Sequence, residues 1–271
     1  MSAMDVSNLS KEYIKKMFSE GKRFDGRKLF DYRKIELSYD VSNKAEGSAR
    51  VKIGNTDVIV GVKLAIGEPY ADSPDKGNLT VSSDLLPLAS PRFESGPPDF
   101  PGIELPRLVD RAVRESGMID LKKLVVKEGE KVWTVMIDIY PINDDGNLID
   151  AATIGALAAL KKAKMPILND NFKIDYDKKP KEELPLNEGI SPISFSFYKL
   201  GNTILFDPNR EEEEACETRI TFGLSKWKNQ HVINSCQKSG ETPFTQEEID
   251  KMMEILPKKF DEVSEKLKKF F

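Results

Sequence analysis

The sequence is poor in the side chains that most often carry metal or nucleophilic chemistry. It has one histidine, His231, and two cysteines, Cys216 and Cys236, in 271 residues. One histidine excludes a metal site built from several histidines, and any Ser–His or Cys–His pair would depend on it. Two cysteines cannot form a disulfide scaffold and are typical of a reducing compartment. Neither a P-loop nor a glycine-rich dinucleotide motif is present, so no cofactor is expected.

Long apolar runs are also missing. No run approaches the roughly 20 residues of a membrane span, and the N-terminal residues lack the apolar core of a signal peptide. We therefore expect a soluble, cytoplasmic protein with no membrane contact. The chain also has no excess of positive charge, since it contains 41 basic and 45 acidic residues. Proteins that bind nucleic acid unaided are usually basic, so RNA binding here requires clustered basic residues.

The patterns that are present predict an α+β protein. Hydrophobic residues make up 39% of the chain, which is enough for a sizeable core. The elements predicted in the first half are, in chain order, an amphipathic helix with Ser10 as N-cap, a hairpin at Gly54-Asn55, a strand over 79–88, a proline-rich loop over 91–101, a helix over 103–115, strands over 124–142, and a helix over 151–163 capped by Asp150.

A polar, charged stretch over 169–188 predicts a connection or, alternatively, an ordered insertion within one domain. Beyond it, KLGNT at 199–203 resembles KIGNT at 52–56, which indicates an internal duplication or a chance repeat of a favoured hairpin turn. The elements predicted in the second half are strands over 193–198, 217–224 and 230–236 and a long helix that starts at the capping box Thr245–Glu248. The predicted organisation is an N-terminal helix and turn (1–30), an N-terminal domain (31–166), a connection (167–190) and a C-terminal domain (191–271).

Three arginines share one face of a predicted helix. Arg107, Arg111 and Arg114 fall at i, i+4 and i+7. Guanidinium groups match phosphate oxygens in bidentate geometry, so such a stripe can hold a nucleic-acid backbone. Alternatively the stripe is a solvated face with internal ion pairs, because Glu104 precedes Arg107 by three residues and Asp110 precedes Arg114 by four.

Acidic clusters are the remaining candidates for chemistry. Asp144-Asp145 and the run Glu211–Glu214 offer oxygen ligands to a divalent cation, although such runs are more often solvated. We therefore predict no metal site. The residue types alone indicate an α+β protein with a candidate RNA-binding face.

Several segments taken together resemble the RNase PH-type phosphorolytic exoribonucleases. The segment RFDGR at 23–27 is by itself typical of a solvated Asp-Gly turn, but it resembles the R-x-D-G-R opening of that family. The other segments follow in the family's order: Gly47-Ser48-Ala49 with Ile53–Thr56, Asp145–Ala156, and Gln237–Gly240. The resemblance covers nearly the whole chain and implies an RNase PH-like fold of two related α+β halves.

Within this family, the chain resembles in particular the second RNase PH-like subunit of the archaeal exosome. The segments that carry this likeness are DYR at 31–33, LLPL at 85–88, FESGPP at 93–98 and VDR at 109–111. The resemblance implies a catalytic RNase PH-like sister subunit, with three heterodimers in a hexameric ring around a channel for single-stranded RNA, and RNA-binding cap subunits. It also implies that Arg107 and Arg111 reach across the pair interface to hold RNA near the sister's active site, with Arg114 as a weaker third candidate.

Two departures from active family members imply that the chain lacks a phosphorolytic centre of its own. Active members bind the attacking phosphate with a Gly-Gly-Thr-Arg or Gly-Ser-Arg loop, where this chain has Gly146, Asn147, Leu148 and Ile149. Ile149 takes the arginine position and cannot bind a phosphate oxygen, and the adjacent Asp150 would repel one. Active members also carry an acidic residue where this chain has Arg219, although Glu217 is two residues away.

The expected function is that of a non-catalytic subunit in a ring that degrades RNA from 3′ to 5′ by phosphorolysis. Such a subunit has no catalytic residue of its own. It structures the sister's active site and contributes arginines to RNA phosphate binding. Two alternatives stay open: a self-sufficient phosphorolytic exoribonuclease and a purely structural ring subunit.

Overall fold

The computed structural model describes residues 6–180 and 182–270. Positions 1–5 of the predicted N-terminal segment, Lys181 in the predicted connection and the final Phe271 lie outside the described residues. The elements of the first half are α1 (Asn8–Ser19), β1 (Ile35–Tyr39), β2 (Gly47–Ile53), β3 (Thr56–Gly67), β4 (Asn78–Ser83), α2 (Phe100–Ser116), a 3-10 turn (Leu121–Leu124), β5 (Val125–Lys127), β6 (Lys131–Asn143), α3 (Leu148–Lys162) and β7 (Lys164–Met165). The elements that follow are β8 (Ile167–Leu168), β9 (Ile174–Asp175), β10 (Glu182–Glu183), β11 (Ile193–Leu200), β12 (Thr203–Phe206), α4 (Arg210–Ala215), β13 (Thr218–Trp227), β14 (Gln230–Gly240) and α5 (Gln246–Lys268).

The larger sheet is built from the first half of the chain. Its strand order is β1-β2-β3-β6-β4, with β5 paired to β6. All pairs are antiparallel except β4 with β6, which is parallel. The smaller sheet has the order β12-β11-β13-β14 and is antiparallel throughout. Helices and sheets occur together in both halves, so the predicted α+β class is confirmed.

Helix α3 packs between the two sheets, against β2 and β3 on one side and β11 on the other. Every residue from Leu148 to Leu160 is buried, as its small, apolar composition predicted. The small residues of α3 allow this helix to lie close to β3. A Cβ on Gly155 would lie only 2.6 Å from a methyl group of Val60. Helix α2 contacts α3, β4, β13 and β14, so it also joins the two sheets.

Both predicted hairpin turns are present. Gly54-Asn55 joins β2 to β3, and Gly201-Asn202 joins β11 to β12. Each glycine has a φ of +59°, in the left-handed region that favours glycine. The two turns share a sequence and a geometry, and the internal duplication stays a prediction. The capping box that begins α5 is confirmed, since Thr245 and Glu248 bond each other's backbone.

Several predicted boundaries are wrong. Helix α1 is capped by Ser7 rather than Ser10. The strand predicted over 79–88 ends at Ser83, and a turn follows over 87–89. Asp150 is not the cap of α3, which starts two residues earlier. Asn147 holds that position with a left-handed φ of 58°.

The described residues of the connection, 167–180 and 182–190, form short strands and a bridge. Strand β8 pairs with β9, β10 pairs with β7, and Ile119 forms an isolated bridge with Leu186. The Lys63 ammonium also lies 5.5 Å from the ring centre of Tyr176. The alternative of an ordered insertion therefore describes this stretch better than a free linker does. Among the described residues, no helix has the length and apolar character needed to cross a bilayer.

Candidate nucleic-acid interface and the adjoining cavity

Helix α2, which carries the three arginines, has caps at both ends. The Asp99 carboxylate accepts a hydrogen bond from the first turn at 3.0 Å, and Gly117 ends the helix in the left-handed conformation. The buried side is apolar and consists of Leu105, Leu108, Val109, Ala112 and Val113. The opposite side faces solvent and presents Arg107, Arg111 and Arg114, as their spacing predicted.

Two of the three arginines have no partner among the residues that the structure describes. The exposed guanidinium groups of Arg107 and Arg111 make no hydrogen bond or ion pair with other residues in the ranges 6–180 and 182–270. Arg114 instead donates to both carboxylate oxygens of Asp110, at 2.6 and 2.9 Å, and to the carbonyl oxygen of Leu79 at 2.9 Å. The bonds to Asp110 raise the pKa of the Arg114 guanidinium. Arg107 and Arg111 are therefore available to a ligand, whereas Arg114 is occupied.

The local partner expected for Arg107 is engaged elsewhere. Glu104 accepts a hydrogen bond at 2.7 Å from Arg219, which lies in β13. Burial alone would lower the pKa of Arg219, but the nearby Tyr198 and the bond to Glu104 raise it. A Glu104–Arg107 pair was expected from helical spacing, and this expectation is wrong. The reason is tertiary, because the contact of α2 with β13 brings a second arginine within reach of Glu104.

Exposed apolar and aromatic side chains flank Arg107 and Arg111. Phe100 and Ile103 precede them on α2 and are 67% and 48% exposed. With Arg107 and Arg111, they line an open groove of about 410 Å³. Tyr70 lines a second groove that also contacts both arginines. Guanidinium groups can bind phosphates while aromatic faces stack on bases, so this face is suited to single-stranded nucleic acid.

A cavity of about 340 Å³ lies beside α2, at the start of α3. Leu148, Ile149 and Arg219 line it, together with residues of α4. The structure thus brings together Ile149 and Arg219, the two positions at which the sequence analysis predicts a departure from active family members. An isoleucine offers no donor to a phosphate, and an arginine does not give up its proton and so cannot protonate a leaving oxygen.

The turn that precedes α3 is held in place by the protein itself. Gly146 has a φ of +82°, and a Cβ there would lie 2.7 Å from neighbouring backbone atoms, so only glycine fits. Asn147 is buried and donates a hydrogen bond to Asp207 at 2.9 Å. Of the four residues in the predicted degenerate loop, only Leu148 and Ile149 line the cavity.

Asp150 links α3 to β11 inside the core. Its buried carboxylate accepts hydrogen bonds from Tyr32 at 2.6 Å, from Ser196 at 2.8 Å and from Asn147 at 3.2 Å. Burial raises the pKa of Asp150 to about 6, although these hydrogen bonds lower it. The residue expected to cap α3 and to repel phosphate is instead a buried structural carboxylate that does not line the cavity.

Only the middle of the RFDGR segment is a solvated turn, because Phe24, Asp25 and Gly26 are exposed while the flanking Arg23 and Arg27 are bonded to other parts of the chain. Arg23 is buried and bonds both carboxylate oxygens of Glu212, one of them through Nε at 3.0 Å. Arg27 and Arg33 donate to the buried carboxylate of Asp207 at 2.9 and 2.8 Å. These contacts attach the N-terminal segment to the chain that enters α4. Sequence reasoning missed Asp207 and Glu212 as partners, because nothing in the linear spacing connects them to the arginines.

The acidic clusters hold arginines. Asp144 pairs with Arg92 at 2.8 Å, and Glu214 pairs with Arg210. The run Glu211–Glu214 forms most of α4, so it is not simply a solvated loop. In the part of the chain that the structure describes, no group of three or more His, Cys, Asp or Glu residues is arranged to hold a metal ion.

Both halves of the chain match models of the 3′ exoribonuclease family. Domain 1 of that family matches residues 31–166, and domain 2 matches residues 191–255. Proteins named exosome complex component Rrp42 are similar over nearly the whole length. The protein of Methanocella arvoryzae is 44% identical over 98% of both chains, and that of Thermococcus onnurineus is 44% identical over 98% of this chain and 97% of its own.

Solved structures agree with these relatives. A chain from the Archaeoglobus fulgidus exosome with RNA bound to the active site has a TM-score of 0.83 and 41% identity, and the match covers 93% of this chain and 98% of that one. A chain of rice Rrp46 has a TM-score of 0.60 at 18% identity and shares the fold alone. With both family domains present and more than 40% identity to relatives along nearly its whole length, this chain belongs to the RNase PH-like 3′ exoribonuclease family.

Proposed function

We propose that this chain is a non-catalytic, RNA-binding subunit of an archaeal exosome. In this proposal it pairs with a catalytic RNase PH-like sister, and three such heterodimers form a hexameric ring that RNA-binding cap subunits join. The observation that carries the proposal is the arrangement around α2. Arg107 and Arg111 are exposed and have no partner among the described residues, and Ile149 and Arg219 line the neighbouring cavity. The likeness to exosome components and to a chain from an exosome with RNA bound to the active site supports the assembly.

The chemistry of the cavity argues against phosphorolysis in this chain. The reaction needs a bound phosphate poised for attack on the terminal RNA linkage and a group that protonates the leaving oxygen. Ile149 supplies no hydrogen bond to phosphate, and Arg219 is committed to Glu104. Glu217 also lines the cavity, but its carboxylate accepts hydrogen bonds from the backbone of Gly201 and the hydroxyl of Thr242, each at 3.3 Å.

A subunit without an active site can still contribute to this reaction. Phosphoryl-type transfer depends largely on positioning and on charge stabilisation, so arginines from a neighbouring subunit can act on the same RNA. Arg107 and Arg111 would bind phosphates of single-stranded RNA near the sister's active site. The net acidity of the chain fits this arrangement, because the partner supplies part of the positive charge. Both cysteines are free thiols, which supports a cytoplasmic location.

The test is phosphate-dependent release of nucleoside diphosphates from a short single-stranded RNA. The chain alone is expected to release none, and the chain with its sister subunit is expected to be active. Reactions without phosphate and with the sister alone are the controls. Robust release by the clean chain alone would contradict the proposal and favour a self-sufficient exoribonuclease.

A further inference from the structure

The ion pair between Arg219 and Glu104 joins the smaller sheet to the arginine helix. Arg219 Nη2 lies 2.7 Å from Glu104 Oε1, and the two side chains are only 13% and 22% exposed. Partial burial strengthens an ion pair over one in water, because the effective dielectric constant is lower. Glu104 lines both this cavity and the groove of about 410 Å³ that contains Arg107 and Arg111. Its carboxylate is nevertheless bonded to Arg219 and makes no ion pair with Arg107 in the described structure.

Helical geometry shows what Glu104 would do without this partner. Residues three and four apart are neighbours on a helix, and pairs with the acid on the N-terminal side are the favourable ones. On α2, Asp110 precedes Arg114 and pairs with it, whereas Glu115 follows Arg111 and has no ion pair with it in the described structure. Glu104 precedes Arg107 by three residues and so has the favourable order.

We propose that Arg219 is a positioning residue that holds Glu104 away from Arg107 and thereby keeps Arg107 free to bind an RNA phosphate. The inference rests on the proposed RNA-binding function of α2. Arg219 acts through Glu104 and does not touch RNA. In this proposal Arg219 neutralises a carboxylate that lies one helical turn from a ligand arginine.

The first test replaces Arg219 with methionine in the ring assembled with the sister subunit. In Arg219→Met, Glu104 is released and pairs with Arg107. We expect binding of single-stranded RNA to weaken about two- to fivefold, the range of an exposed ion pair. The slope of log affinity against log salt should become shallower by about 0.7, as expected when one phosphate contact is lost.

The decisive test is rescue. Adding Glu104→Gln to Arg219→Met removes the competing carboxylate, so both the affinity and the salt slope should return to wild-type values. A merely structural role for Arg219 predicts no rescue, because Glu104→Gln does not restore the link between α2 and β13. A double variant that stays as weak as Arg219→Met would overturn the proposal.

A matched control uses the same cavity. Arg210 also lines it, but its ion pairs in the described structure are with Glu213 and Glu214 of its own helix and with Asp144, and none is with an acid of α2. Arg210→Met is therefore expected to leave the RNA affinity unchanged. Equal weakening in Arg210→Met and Arg219→Met would contradict a specific role for Glu104.

Failure of this inference is distinguishable from failure of the proposed function. The double variant Arg107→Glu with Arg111→Glu is titrated beside the others, and no loss of RNA binding in it would refute RNA binding by α2. A loss there, together with wild-type binding by Arg219→Met, would overturn only this inference. If Arg219→Met does not fold, Glu104→Gln alone still tests this inference. Its affinity for single-stranded RNA is expected to be within twofold of wild type. An affinity more than fivefold tighter would show that Arg219 does not neutralise Glu104.

Discussion

Arg23 and Arg107 have the same side chain in opposite surroundings. Arg23 is buried, and its guanidinium bonds the Glu212 carboxylate and two backbone carbonyl oxygens. Arg107 is exposed and has no partner in the described parts of the chain. A charge that the protein itself satisfies stabilises the fold, whereas a charge left unsatisfied at the surface is available to a ligand. This contrast separates the structural arginines of the RFDGR segment from the arginines of α2.

The contrast has an energetic basis. Removing one partner of a buried ion pair leaves a charge without water and without a counter-ion, and this is strongly destabilising. An exposed arginine stays hydrated when its neighbours change, so its loss barely alters stability. Stability and RNA affinity should therefore respond to different arginines.

The largest effect is expected from Arg23→Ala. It leaves Glu212 buried without its counter-ion, so the free energy of unfolding should fall by about 3–5 kcal/mol. Denaturant unfolding followed by circular dichroism measures this. Arg107→Ala is the matched control and should keep the wild-type midpoint. A loss below about 1 kcal/mol in Arg23→Ala would break the distinction between the two arginine sets.

Asp150 extends the comparison to a buried carboxylate. Since its pKa is raised to about 6, the folded protein keeps the proton between about pH 4 and pH 6 while the unfolded chain loses it. The stabilising contribution of this proton is therefore lost as the pH rises through this window. The free energy of unfolding should fall relative to Asp150→Asn by up to about 3 kcal/mol, with no further change above pH 6.

Urea titrations of the wild type and of Asp150→Asn at several pH values measure this difference. Asp72→Asn, which changes an exposed carboxylate, controls for the loss of one surface charge. A difference between wild type and Asp150→Asn that stays constant from pH 4 to pH 6 would show that Asp150 titrates normally.

Replacing the exposed arginines of α2 is expected to weaken RNA binding without disturbing the structure. Arg107→Glu with Arg111→Glu should weaken binding of single-stranded RNA by the assembled ring about 10- to 100-fold and flatten the salt dependence. Ring assembly, measured by size-exclusion chromatography, should stay intact. Arg114→Gln on the same helix face is the control and should change affinity by about twofold or less, because Arg114 is already paired with Asp110. Unchanged affinity in the double variant would instead support a purely structural subunit.

Local patterns predicted much of the fold. The hairpin at Gly54-Asn55, the buried helix α3 and the capping box at Thr245 depend on neighbouring residues, and all three are confirmed. The position of Arg107 and Arg111 on one exposed helix face also follows from spacing alone. Helix starts were less predictable, because an αL residue such as Asn147 can replace the expected side-chain cap.

Long-range partners were the part that sequence reasoning missed. Helical spacing assigned Glu104 to Arg107, but the structure assigns it to Arg219. The RFDGR segment was typical of a solvated turn, yet Arg23 reaches a carboxylate that follows it by 189 residues. The order of residues along the chain does not show which of them are close in space, so these pairs form only when the sheets pack around α3.

The sequence by itself determined the α+β class, the arginine stripe of α2 and the isoleucine at the predicted phosphate position, because each depends on residue type and local periodicity. Only the tertiary structure decided which arginines are occupied. It buried Arg23 against Glu212, paired Arg219 with Glu104 and gave Arg107 no partner among the described residues. The physical reason is that a charge takes the partner that packing brings within hydrogen-bond distance, and packing joins residues that are far apart in the chain.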